Sequence, residues 1–411
     1  MRMPSTSLYR LCRARMCSQA RSTWFAGCKI GSSTQVVGKP VRAQRAEVNA
    51  ESTPPEIPTT HPRVPDRCAY CCNQSTIKAV TLSSMRSTKV LWIALAGTVA
   101  CTSENALVPE PAKDPRVEVH PAYTDFFSIQ PDEWEAQMPG LQKTYAPFFE
   151  SLSPSQFVKL VNDPELRGLH EDALLAFPDT AVLSTSLREG FARYRSLFPG
   201  GNSTHKTRVY PFISYLDPAF YPPLVVDSSY VFLALDQYLG ADHPAYAQDP
   251  AYLAYQREPR FAVPALFQQL AASKTTFSDG SFTLLDQMVY WGKLACFAEA
   301  CLGEEQAPNL FPYTPDQWKF CMENEANLWK FFIQNRLLYA TDIDLERRFI
   351  QPAPFSKMQT AQDQEIPGMV GRWLGYRLVR SYLENHPETP WSAFLKDTDS
   401  RTLLSQSQYR P

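Results

Sequence analysis

A chain that does acid–base, nucleophilic or metal chemistry should show histidines and carboxylates at workable spacing. Downstream of residue 101 there are five histidines, His120, His170, His205, His243 and His386. No two stand at i,i+4 and no HExxH segment occurs, so the two-histidine helix face that holds a catalytic zinc is missing. His170, with Glu171 and Asp172, falls on an amphipathic stretch where a solvated polar face is expected. There is no GxSxG elbow, Walker loop or dinucleotide glycine fingerprint, and Ser228 and Ser229 have no base nearby in sequence. What remains are charges in apolar settings. Asp236 ends an apolar run, Lys293 sits in QMVYWGKLACF, Glu325 and Asn327 lie among bulky aromatics, and Arg372 stands between Gly371 and Trp373. Buried charges are costly unless paired, so these residues are expected to share a cluster. It would be either a set of ion pairs pinning helices or a ligand pocket. With Tyr238 and Trp329 added, Asp236, Lys293, Glu325 and Arg372 are the candidate cleft residues; no catalytic residue, cofactor or metal ligand is assigned.

A different chemistry is written at Met85–Cys101, MRSTKVLWIALAGTVAC. Read as an N-terminus, it has a basic start (Arg86, Lys89), an apolar run from Val90 to Ala100, and small residues leading into a cysteine. That is the layout of a secretory signal, and the cysteine at the cut resembles a bacterial lipoprotein signal, in which Cys101 becomes the first mature residue and carries lipid. The run is about half the roughly 20 residues a membrane-spanning helix needs. Each buried CH₂ of an acyl chain would add roughly 0.8 kcal/mol of membrane affinity.

The elements that must position these residues are mostly helical. Trp134, Met138, Leu141, Tyr145 and Phe148 recur at three and four. Ser153-Pro154-Ser155-Gln156 is a capped helix start, and helices are predicted over 164–177 and 180–198. The period then changes: 207–216 and 224–235 are β-branched and aromatic and read as strands, followed by a tyrosine-rich loop, 244–255. Helices return over 259–272, 283–302, 314–339 (opened by a capping box at Thr314) and from Pro367, where Gly368, Gly371 and Gly375 allow another backbone close. The expected fold is α+β: a mostly helical single domain over 131–411 with a small central sheet. Residues 102–130, with Pro109, Pro111, Pro115 and Pro121 among charges, read as an extended tether. Residues 1–84 have no sustained period and a proline-broken run at 52–67, and are expected to be disordered. They are either a region upstream of a true start at Met85 or a cleaved targeting arm.

Composition narrows the partners. Of 40 basic and 42 acidic residues, 14 and 4 fall in residues 1–101, so residue 102 onward carries 26 against 38, a formal charge of −12. That argues against nucleic acid, whose phosphates need clustered positive charge. Only Cys296, Cys301 and Cys321 of the ten cysteines lie beyond Cys101, an odd number and no disulfide framework. Cys68, Cys71 and Cys72 lack a second ligand pair at zinc spacing.

Seven segments in order carry a resemblance: LALDQYLG (233–240), LLDQMVYWGK (284–293), YTPDQW (313–318), ENEANLWKFFIQNRLLYATD (323–342), APFSK (353–357), PGMVGRWLGYRLVRSYL (367–383) and SQSQYRP (405–411). Together with the signal they resemble the gliding-motility lipoprotein GldB family of the Bacteroidetes. The resemblance implies a lipid-anchored envelope protein, outer-membrane and periplasm-facing given Thr102 after Cys101, that meets other motility and secretion proteins and has no known enzymatic activity. A fainter likeness is to HExxH zinc metallopeptidases, from the order of strand, helix, LLxxMVxxG helix and glycine-rich helix. It implies a zincin-like fold with the metal site lost, since Phe261–Gln269 carries no ligand and Trp291 stands near the expected acidic position. The protein would then be a pseudo-enzyme that kept its cleft for binding. A hydrolase, or a solute-binding lipoprotein whose 244–261 loop lines a pocket, are the competing readings.

Overall fold

The computed structural model describes residues 107–411 apart from 151, 200–205, 227–228 and 278–281. The expectations for 1–84, for the signal with Cys101, and for His205 and Ser228 lie outside the described residues. The stretch read as a tether to about residue 130 carries regular structure in its described part. Leu107 is buried, Val117–Val119 is strand β1, and Ala122–Ser128 is helix α1 with Ala122, Tyr123, Phe126 and Phe127 buried. A three-residue strand is too short for periodicity to register, and the prolines around it hid both elements.

The first helical layer follows the sequence closely. It comprises α2 (Trp134–Thr144), α3 (Ala146–Phe149), α4 (Pro154–Val161), α5 (Pro164–Ala176) and α6 (Thr180–Leu197). At α4 the Ser153 side chain accepts from Gln156 N–H while the Gln156 side chain reaches back to the cap backbone, the reciprocal box that satisfies otherwise orphaned donors. His170, on α5, departs from the expected solvated face: it is half-buried and stacks on Phe127, with ring centroids 4.2 Å apart.

The sheet runs β1-β2-β4-β3, with β2 at Thr207–Phe212, β3 at Leu224–Val226 and β4 at Tyr230–Ala234. β1, β2 and β4 are parallel, and β3 pairs antiparallel to β4 with Val225 opposite Val231. One strand expected over 224–235 is therefore a hairpin, because Asp227-Ser228-Ser229 is turn chemistry and Ser229 N–H already bonds back to Val226 O.

After the sheet come α7 (Ala251–Ala254), α8 (Ala262–Ala272), α9 (Leu284–Leu302), α10 (Pro315–Glu323), α11 (Glu325–Gln334), α12 (Ile343–Phe349), α13 (Val370–Asn385), α14 (Trp391–Phe394) and α15 (Ser400–Gln406). The helix expected over 314–339 breaks in two at Asn324, whose side-chain Nδ2 donates to Phe320 O at 3.0 Å. An asparagine that bonds the backbone locally competes with helix continuation.

The core is centred on α9, buried on nearly every side, as expected of a helix apolar all round. Its largest partner is α13. The crossing rests on two glycines: a Cβ on Gly375 would lie 1.9 Å from Met288 O, and one on Gly292 2.3 Å from Gly375 O. The fold is mostly helical α+β with a small sheet. Among the described residues no helix is long and apolar enough to cross a membrane.

Candidate functional site

Asp236 follows β4 in a short 3-10 turn and is fully buried. Its carboxylate accepts from Ser214 N–H (2.9 Å), from the Ser214 hydroxyl (3.0 Å) and from Leu216 N–H (2.6 Å). Those bonds hold the segment leaving β2, where Tyr215 and Leu216 adopt φ of 63° and 56°, a region costly for residues with a Cβ. Burial pushes the Asp236 carboxyl up, and the Leu216 and Ser214 amides act against that shift. Asp236 is thus a backbone clamp.

The next two residues pack into a mixed aromatic and basic cluster. Gln237 accepts from Arg257 Nη1 at 2.8 Å. The Arg257 guanidinium lies 3.6 Å from the ring centroid of Tyr221, and Tyr221 packs on Tyr238 with centroids 5.6 Å apart. Tyr238 is buried, and its hydroxyl has no hydrogen-bond partner. From the other side, Arg372 on the first turn of α13 lies 3.4 Å from the centroid of a Trp291 ring on α9. Its Nε donates to Ile350 O at 2.6 Å. Burial pushes the Arg372 guanidinium down to about 10, so it stays charged at neutral pH, and both Arg372 and Arg257 hold the Tyr221 phenol down against its own burial. Tyr221, Arg257, Tyr290, Trp291 and Arg372 are all half-buried.

The other candidates are engaged elsewhere. Lys293 Nζ donates to Phe394 O (2.7 Å) and Asp397 O (2.6 Å), tying α9 to the turn after α14; burial pushes it down to about 8. Glu325 accepts from Arg377 Nε at 2.9 Å and from the Tyr409 hydroxyl at 2.7 Å, and Trp329 packs edge-on against Tyr409 at 5.0 Å. Tyr238 meets Arg257 through Tyr221, beside the Asp236 clamp, Arg372 packs on Trp291, and Lys293 and the Glu325–Trp329 pair belong to further separate contacts. The single shared cluster expected from sequence does not form.

Arg257 and Tyr221 escaped the sequence reading. Arg257 stands after the tyrosine-rich loop with no helical or strand period to mark it, and Tyr221 lies in the segment between the two expected strands. Cys296, Cys301 and Cys321 are free and buried, and burial pushes each thiol up. Among the described residues no group of three or more His, Cys, Asp or Glu could hold a metal ion, and α8, where zinc ligands would stand, offers Ala262, Pro264, Leu266 and Phe267 to the core instead.

Comparison with curated proteins and with solved structures returns no match, so the likeness to zinc peptidases has no support there. A family model described as gliding motility protein GldB matches residues 104–411, three quarters of the chain and all of its described fold. The chain belongs to the GldB gliding-motility family.

Proposed function

We propose that this protein is a lipid-anchored component of the gliding-motility and associated secretion machinery, held at the periplasmic face of the outer membrane by acyl chains on Cys101. It acts by binding other envelope proteins and not by turnover. The observation that carries the anchor is positional. The family match begins at residue 104, just beyond Cys101, so the family body starts where a lipidated signal would leave off. The non-catalytic reading draws on what the buried charges do: Asp236 clamps amides, Lys293 clamps carbonyls, and Glu325 meets Arg377 and Tyr409. None of these is left with the free, poised geometry that general acid–base work requires.

Intact mass spectrometry of the membrane-extracted native protein tests the anchor. A product beginning at Cys101 with added acyl mass is the expected result; an unlipidated chain beginning at Met1 would remove the anchor and the localisation together. A hydrolase would need turnover, and a solute-binding lipoprotein would show a saturable thermal shift with peptides or glycans.

A further inference from the structure

A groove of about 380 Å³ runs between α2 and α4. Trp134, Glu135, Met138 and Pro139 line it from α2, and Pro154, Ser155 and Val158 from α4, in each case residues one and four positions apart on one helix face. Its floor belongs to the core, where Trp134 and Met138 are buried and Trp134 packs edge-on against Phe157 with centroids 6.0 Å apart. Glu135, Pro139, Pro154 and Ser155 are exposed along its walls. The polar groups on those walls are acceptors. The Glu135 carboxylate takes no ion pair or hydrogen bond among the described residues. Pro139 lies inside α2 and has no N–H, so the Glu135 carbonyl four residues earlier loses its usual helical donor. The Ser153 hydroxyl gives its proton to Gln156 Oε1 at 2.8 Å, so Ser155 is the donor across their 3.2 Å contact and keeps its lone pairs free. No lysine or arginine lines the groove, and Asp132 and Glu133, both exposed, add negative charge at the same end of α2.

We propose that this groove binds a basic, apolar segment of another protein, with an arginine stem laid on Trp134, Met138 and Pro139 and its guanidinium turned to Glu135 and Ser155. Arginine pairs an apolar stem with a head that only donates, the complement of an apolar floor under acceptor walls, and its bond to a carboxylate is charge-assisted. A charge of −12 from residue 102 onward draws a basic partner in at long range, an attraction that weakens with salt. This reading rests on the protein acting by binding other envelope proteins, and not on the lipid anchor.

The test is fluorescence anisotropy of labelled peptides titrated with the purified full chain at low salt: one alternating arginine with leucine, one glutamine with leucine, one glutamate with leucine. Expected is saturable binding of the arginine peptide, about tenfold or more tighter than the glutamine peptide, with none for the glutamate peptide. Glu135→Gln should weaken it about threefold or more. Ser155→Arg, which sets the chain's own cation beside Glu135, should weaken it about tenfold or more. Both positions are exposed, so the melting temperature should not move. Glu388→Gln removes the same charge outside the groove lining and should leave affinity within about twofold. No saturable binding up to about 1 mM, or a loss with Glu388→Gln equal to that with Glu135→Gln, overturns the proposal. So does tighter binding of the glutamine peptide, or of zwitterionic phosphatidylcholine vesicles, which would make the groove a plain apolar or membrane contact. The acyl mass on Cys101 is read independently, so each reading can fail alone.

Discussion

Three buried charges make separable predictions at the scale of single residues. Lys293→Met removes the ammonium on which two backbone carbonyls depend, and should lower stability by about 1–3 kcal/mol in urea unfolding at neutral pH. An unchanged unfolding midpoint would free Lys293 for a functional role. Asp236→Asn keeps the shape but turns an amide donor toward backbone N–H groups, and should cost about 2–3 kcal/mol. Glu299 is fully buried beside Arg380, and burial pushes its carboxyl up to about 7. A carboxyl raised in the folded state holds its proton better there than in the unfolded chain. Its contribution is therefore complete below about 4.5 and lost as pH rises through about 7. Glu299→Gln should accordingly gain stability relative to the parent across that window, by about 2–4 kcal/mol at its upper end, with Arg380 still held by Glu304 and Glu384. A pH-independent difference would mean that Glu299 stays ionised. In the sequence Glu299 was not singled out, whereas Asp236 and Lys293 were legible as charges in apolar runs. Their partners were not, because Phe394 and Asp397 lie about a hundred positions from Lys293.

At the scale of elements, α9 and α13 decide the fold. Gly375→Ala places a methyl against Met288 O, a backbone atom that can yield only if the helices separate. The expected loss is about 3 kcal/mol or more, seen as a reduced urea midpoint with little change in helical signal at low denaturant. A neutral substitution would mean that the crossing is looser than 1.9 Å implies. The glycines of α13 were visible in sequence as a permission for close approach, yet the partner glycine, Gly292, was not singled out. It carries no periodic signal, and its role exists only once α13 lies across it. Caps were the most readable feature, since Ser153 and Thr314 depend on residues three positions away. The break at Asn324 and the 224–235 hairpin were missed for the opposite reason: continuous apolar periodicity outweighed one polar residue in the first and a short run of polar residue types in the second.

At the scale of the whole molecule, the family body begins at residue 104, beyond the proposed lipidation at Cys101. Cys101→Ala should move the protein to the soluble fraction and abolish gliding in a gliding host. It should leave the melting temperature of the folded part unchanged, because the buried core is first seen at Leu107, downstream of the substitution. A melting temperature that falls with the substitution would mean that residues near 101 pack on the fold. The sequence by itself determined what depends on neighbours a few positions apart: the helix starts, the change of period at the sheet, the mostly helical α+β class and membership in an ordered motif series. Tertiary structure alone decided which charges clamp the backbone, which are ion-paired and which lie on an aromatic ring. That choice depends on desolvation and on partners from distant segments, and so Arg372 and Arg377, five residues apart on one helix, have opposite fates.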